Sequence, residues 1–196
     1  MTHNPCQGAL LADNGHVRVY AASLRPGVPT AHVVARLLEA DPAVPARFGV
    51  AHTPEGIPFL EVPGGGDDPL PSISVSHSRS LVAVAVAPSG CPVGVDAETT
   101  GRDRQLRRVA PRFLSGAQLP RWSADPAMLL RAWTLKEALY KAALTPGLPM
   151  DEIPLPEEGE GSVELRGRRY ATAVLPSPYA DNVISLAYLA DSSFNV

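Results

Sequence analysis

Asp96 and Glu98 stand two residues apart in Val93-Gly94-Val95-Asp96-Ala97-Glu98, and Glu137 and Lys141 stand four apart further along the chain. On an extended strand alternate side chains share a face, so the two carboxylates project together while Val95 and Ala97 face the other way. Like charges placed so closely repel unless a cation lies between them. Carboxylate oxygens without His or Cys suit a hard ion such as magnesium. On a helix, Glu137 would add a third oxygen, and Lys141, one turn later, would bring an ammonium to a phosphate held by the same ion. That set is consistent with a magnesium pyrophosphate site. The competing readings are a solvated strand end and a surface Glu–Lys helix pair, the latter worth roughly 0.2–0.5 kcal/mol.

Lysine usage points to the same place. Lys136 and Lys141 are the only lysines in the chain, and both lie in Trp133-Thr134-Leu135-Lys136-Glu137-Ala138-Leu139-Tyr140-Lys141. Drift toward GC-rich codons would replace any lysine that merely carries charge, and would spare one whose compact ammonium must fit a tight phosphate pocket. Chance retention on a helix that favours Lys and Glu is the alternative.

A third group is Ser74-Val75-Ser76-His77-Ser78, whose hydroxyls and imidazole can donate to phosphate oxygens. It is not a catalytic dyad, because adjacent residues on a strand point to opposite faces and no Gly-x-Ser-x-Gly elbow is present. The five histidines, His3, His16, His32, His52 and His77, lack zinc-ligand spacing. Serine hydrolase and zinc chemistry are set aside.

These residues need elements to hold them. Alternation predicts strands over His16–Ala22, Ser72–Ser76, Leu81–Ala87 and Val93–Glu98, and three more around Val163, Ala171 and Ile184. Helical spacing predicts one helix opened by Pro29-Thr30 and running through Val33, Val34, Leu37 and Leu38, and another from about Arg104 to Phe113. The clearest helix runs from about Pro126 to Leu144, with Asp125 as N-cap and Pro146-Gly147 as the stop. On it Met128, Ala132, Leu135, Leu139 and Ala142 form the core-facing stripe, and Trp133, Glu137 and Lys141 form another face. The Pro- and Gly-rich text between Asp41 and Pro71 reads as a linker between strands, with Pro63–Pro69 an exposed loop. Strands, helices and strands in this order indicate an α+β fold with antiparallel sheets.

The 196 residues, 45% hydrophobic and 19% charged, suffice for one substantial core or two fused subdomains. A net charge of −3 argues against a general nucleic-acid binder. Two cysteines, Cys6 and Cys91, make neither a disulfide framework nor a four-cysteine metal site, and Met1-Thr2-His3-Asn4-Pro5 lacks signal-peptide character. The longest apolar run, Leu81–Ala87, is too short to cross a bilayer. A reducing, cytoplasmic setting with no membrane partner is expected.

The three groups, in order, resemble the signatures of the phosphopantetheinyl transferases of the surfactin-synthetase-activating type: Ser72–Ser78, Val93–Glu98 and Trp133–Lys141. The third is the most specific, and the likeness covers roughly Gly56 to Gly147. Arg112-Phe113-Leu114-Ser115 also sits where that family carries a basic-aromatic segment. The resemblance implies two fused, pseudo-twofold-related α+β halves, residues 1–92 and 93–196, each an antiparallel sheet packed with a long helix. Coenzyme A would lie between them. It further implies that Asp96, Glu98 and Glu137 bind magnesium, that Lys141 pairs with the pyrophosphate supported by Lys136, and that Ser76 and His77 hold phosphate and nucleotide groups. Glu137, directly or through a metal-bound water, and Lys141 would be catalytic.

The expected reaction moves the 4'-phosphopantetheine group from coenzyme A to a serine of an apo acyl or peptidyl carrier protein in polyketide, nonribosomal-peptide or fatty-acid synthesis. Adenosine 3',5'-bisphosphate is released. Six arginines between Arg102 and Arg121 would form a docking face for an acidic carrier, or a solvated surface. The chain departs from the family where Gly-Lys-Pro is usual: it reads Gly56-Ile57-Pro58, placed at the coenzyme, and Arg79 stands where glycine is common. A short, less basic N-terminal half leaves Arg25, Arg36, Arg47 and His52 for the 3'-phosphate, with Arg36 preferred. The alternatives are a noncatalytic carrier-binding homologue with impaired coenzyme A binding and a magnesium-dependent pyrophosphate hydrolase. A monomer is expected.

Overall fold

The structure, a computed structural model, describes residues 8–65, 68–179 and 181–190. Its framework is two four-stranded antiparallel sheets. The first has the order β1 (Ala9–Asp13), β2 (Arg18–Ser23), β6 (Leu81–Ala87), β5 (Ser72–His77). The second runs β7 (Val93–Thr99), β10 (Asn182–Leu189), β9 (Arg168–Leu175), β8 (Ser162–Leu165). The architecture is the expected α+β fold with antiparallel sheets.

The run Leu81-Val82-Ala83-Val84-Ala85-Val86-Ala87 is buried throughout because both faces of β6 are covered. Its valines pack with Tyr20 and Ala22 against Val33, Val34, Leu37 and Leu38 of helix α1 (Thr30–Leu38). The opposite face carries Leu81, Ala83 and Ala85, which meet Val95, Ala97, Ile184 and Leu186 of the second sheet. Small alanines on this face let the two sheets approach, and one apolar layer joins them.

Helix α2 (Asp103–Phe113) and the short helix α3 (Leu119–Trp122) lead into α4 (Pro126–Ala143). The Asp125 side chain accepts the Met128 amide at 2.9 Å, so the predicted N-cap forms, and Leu144 closes the helix in a left-handed conformation. Ala132, Leu135, Leu139 and Ala142 are buried and Met128 is half-buried, while Trp133, Glu137 and Lys141 stay half-buried on their own face. The predicted face division of this helix holds.

Two parts differ from expectation. Strand β1 precedes the predicted first strand, which itself begins at Arg18. The region read as a linker contains a hairpin, β3 (Gly49–His52) and β4 (Pro58–Glu61), whose Leu60 joins the apolar cluster of α1 and the first sheet. Each of its strands has only four residues, too few for an alternating pattern to declare itself. In the loop after it, residues 63–65, 68 and 69 are exposed; residues 66–67 lie outside the described residues. Among the described residues, no helix is long and apolar enough to cross a membrane.

Candidate active site

Gly94 determines how closely α4 lies on β7. A β-carbon built there would sit 2.0 Å from the Ala138 carbonyl oxygen and 2.7 Å from the Ala142 amide nitrogen. Backbone therefore rests on backbone, with small Ala138 and Ala142 completing the crossing. The same face of β7 carries Asp96, two residues on, and the helix delivers Lys141 directly to it. Lys141 Nζ donates to Asp96 Oδ1 at 2.8 Å and to the Val95 carbonyl at 3.0 Å.

Ser76, on β5, donates to the same Asp96 Oδ1 at 2.9 Å while its oxygen accepts the Ala97 amide at 3.1 Å. Asp96 is 6% exposed, and its other oxygen, Oδ2, is buried without a hydrogen-bond partner. An orphaned anionic oxygen inside a protein is costly unless a cation or donor reaches it.

Glu137 is half-buried beside this pair. Burial pushes its carboxyl above the usual carboxylate range; the Asp96 charge adds to the rise, Lys141 opposes it, and Glu98 adds a smaller share. Glu98 itself is ion-paired with Arg102. Among the described residues no three His, Cys, Asp or Glu side chains converge closely enough to hold an ion. Lys141 and Arg102 instead hold Asp96 and Glu98. The donor set nevertheless fits a hard divalent cation: all are carboxylate oxygens, one of them buried and unpartnered, beside a third carboxylate that takes up negative charge reluctantly.

Beside this group opens a cleft of about 290 Å³. Gly56, Ile57 and Pro58 line one wall, and Glu137, Tyr140 and Lys141 the other. A second recess of about 280 Å³ shares Ile57, Pro58, Ile73, Val93 and Leu144 with it and is largely apolar. Of the predicted site residues, Gly56, Ile57, Pro58, Glu137 and Lys141 line the cleft, and Asp96 and Glu98 stand with the last two.

The other predicted site residues fall elsewhere. His77 is exposed at the end of β5. Arg36 is half-exposed, paired loosely with Glu39 at 3.4 Å, and does not line the cleft; nor do Arg25, Arg47 or His52. Ser76 is buried and does not line the cleft, and its hydroxyl donates to Asp96 and accepts the Ala97 amide.

Lys136 also does not line the cleft. It is fully buried and donates to the carbonyls of Met150, at 2.8 Å, and Ile153, at 2.5 Å. Its stem leaves α4 away from the cleft and pins the helix to the 3-10 turn Met150–Glu152. Burial brings its ammonium down to about 8, against a small opposing pull from Asp151. Between about pH 8 and 10.5 the folded chain is deprotonated at Lys136 while the unfolded chain still binds the proton, so this residue's contribution to stability rises with pH. A neutral amine keeps two hydrogens, enough for both carbonyls. The melting-temperature gap between wild type and Lys136→Met should therefore widen from pH 8 to 10. A gap independent of pH would show that no buried ammonium is being neutralised.

Sequence reasoning missed Gly94 as a packing contact and Ser74 as a partner of β7. The period-two serines Ser72, Ser74 and Ser76 were the available signal, marking one hydroxyl-bearing face of a strand.

Residues 92–186 match the family model of the 4'-phosphopantetheinyl transferase superfamily. This stretch, from β7 through α4 to the middle of β10, is similar to that superfamily and carries Asp96, Glu98, Glu137 and Lys141. The superfamily is one of transferases of the phosphopantetheinyl kind. No curated protein matches the chain.

Proposed function

We propose that this chain is a transferase of the surfactin-synthetase-activating type, moving 4'-phosphopantetheine from coenzyme A to a serine of an apo acyl or peptidyl carrier protein. The observation that carries this reading is the unpartnered Asp96 Oδ2 beside Glu137 and Lys141, within the superfamily stretch. Asp96 and Glu137 would hold a magnesium ion, joined by Glu98 once it leaves Arg102. The ion supplies charge neutralisation at the pyrophosphate of the coenzyme. Lys141, 30% exposed, keeps two of its three ammonium hydrogens on Asp96 and Val95 and offers the third to a nonbridging phosphate oxygen. The cleft wall of Gly56, Ile57 and Pro58 receives the nucleotide end.

The carrier serine oxygen bonds to the β-phosphorus, the bond from that phosphorus to the bridging oxygen breaks, and adenosine 3',5'-bisphosphate leaves with the bridging electron pair. Glu137, whose burial makes it a better proton acceptor than an ordinary carboxylate, takes the serine proton, directly or through a water. Exposed Arg104, Arg107, Arg108 and Arg112 on α2 form the docking face for an acidic carrier. The halves divide near Pro92, where the chain passes from the first sheet to the second, with α1 and α4 as the corresponding helices. The protein acts as a cytoplasmic monomer in polyketide, nonribosomal-peptide or fatty-acid synthesis, without a membrane or nucleic-acid partner.

One observation favours a second reading, a noncatalytic carrier-binding homologue. Among the described residues Lys141 is the one Lys or Arg lining the cleft, it is already engaged by Asp96, and Glu55 adds negative charge there. Incubation with magnesium, coenzyme A and a panel of apo carriers separates the two by intact-mass spectrometry. A carrier heavier by one phosphopantetheine supports the transferase; binding of carriers without mass gain supports the homologue.

A further inference from the structure

Strands β5 and β7 lie side by side as edges of two different sheets, with no ladder between them. Serine hydroxyls take the ladder's place. The Val95 amide donates to Ser74 Oγ and the Ala97 amide to Ser76 Oγ, each at 3.1 Å, so two buried edge amides of β7 are satisfied. Ser74 and Ser76 occupy the same face of β5 and do the same work for the seam, but they differ in one respect. Ser76 also places its proton on Asp96 Oδ1, whereas among the described residues Ser74 meets only an amide.

We propose that Ser76 is a positioning residue that locks the Asp96 carboxylate so that Oδ2 is the oxygen offered to the divalent cation, a role separate from its part in the seam. The proposal rests on the magnesium reading above. A hydroxyl that both donates to Asp96 and accepts from the Ala97 amide has no freedom to rotate. Oδ1, holding Ser76 and Lys141 together, has no capacity left for an ion, and Oδ2 is left buried and unpartnered. Without Ser76, Lys141 alone holds the carboxylate, and it accepts either oxygen equally. The carboxylate then turns freely, and the oriented oxygen that lowers the cost of capturing an ion is lost. Removing such a supporting partner typically weakens a metal about 10- to 100-fold.

Calorimetric titration with manganese, with thermal melts on the same preparations, tests this in the wild type, Ser76→Ala, Ser76→Thr and Ser74→Ala. Ser76→Ala should bind manganese at least about tenfold more weakly, and Ser76→Thr, which restores the hydroxyl on a strand that tolerates β-branching, should bind as wild type does. Ser74→Ala loses an equivalent seam bond, so it should melt lower, as Ser76→Ala does, yet bind manganese unchanged. Should Ser76→Ala not fold, Ser76→Cys, with its weaker donor, takes its place and the same weakening is expected. Wild-type affinity in Ser76→Ala (or in Ser76→Cys where that replaces it), or an equal loss in Ser74→Ala, overturns the positioning role and leaves the magnesium reading standing. Absence of manganese binding by the wild type overturns both.

Discussion

Asp96→Asn is expected to lower carrier loading by at least about a hundredfold while the chain still melts within a few degrees of wild type. Asparagine keeps the size of the side chain and an oxygen that Ser76 and Lys141 can still use, so the seam at β5 and the α4 contact survive. What it removes is the charge, and in place of the buried Oδ2 it puts an amide nitrogen, a donor where a cation needs a lone pair. Losing one anionic ligand of an ion that offsets pyrophosphate charge costs several kcal/mol in the transition state, and each ~1.4 kcal/mol is a factor of ten. Raising magnesium should recover part of the rate, since the loss lies in ion capture. Wild-type turnover at limiting magnesium would remove Asp96 from the site.

Gly94→Ala should act on the fold and the chemistry together. The added carbon meets the Ala138 carbonyl and the Ala142 amide, neither of which can swing aside as a flexible side chain would. Overpacking of this kind costs about 1–3 kcal/mol and occasionally more, and contact with backbone belongs at the upper end. For a chain of this size about 3 kcal/mol corresponds to a fall of roughly 6–12 °C in melting temperature. The relief available is to lift α4 from β7, which draws Lys141 off Asp96 and Val95. A misplacement of about 1 Å at a reacting centre costs about a hundredfold in rate, so loading should fall further than lost folded protein accounts for. An unchanged melting temperature would show that the helix does not rest on this strand as described.

The long helix and the three strands around the candidate site were legible in the sequence because each carried its own local signals. Asp125, Pro126 and Pro146-Gly147 bracket α4, and the alternation of β5, β6 and β7 is regular. The carboxylate pair on one face of β7 followed from strand geometry alone, and the match over residues 92–186 agrees with the resemblance at the level of the superfamily, over the second and third motifs. The parts that escaped depend on distant partners. The direction of Lys136 is set by carbonyls at Met150 and Ile153, fourteen and seventeen residues away, and nothing near it marks that turn as an acceptor. Ser76 meets a carboxylate twenty residues on, across a seam between two sheets. The hairpin β3–β4, short and flanked by prolines and glycines, carried too little pattern to separate it from a loop.

The burial of Lys136 gives the chain an unusual surface chemistry. Of its two lysines, one is closed to solvent and the other, Lys141, is 30% exposed at the cleft. An amine-selective acylating reagent therefore finds a single lysine to modify, and that lysine stands in the candidate site. The rate at which Lys141 is labelled becomes a direct gauge of cleft occupancy, slowing as a phosphate ligand covers its ammonium, with no engineered probe and no enzymatic turnover needed.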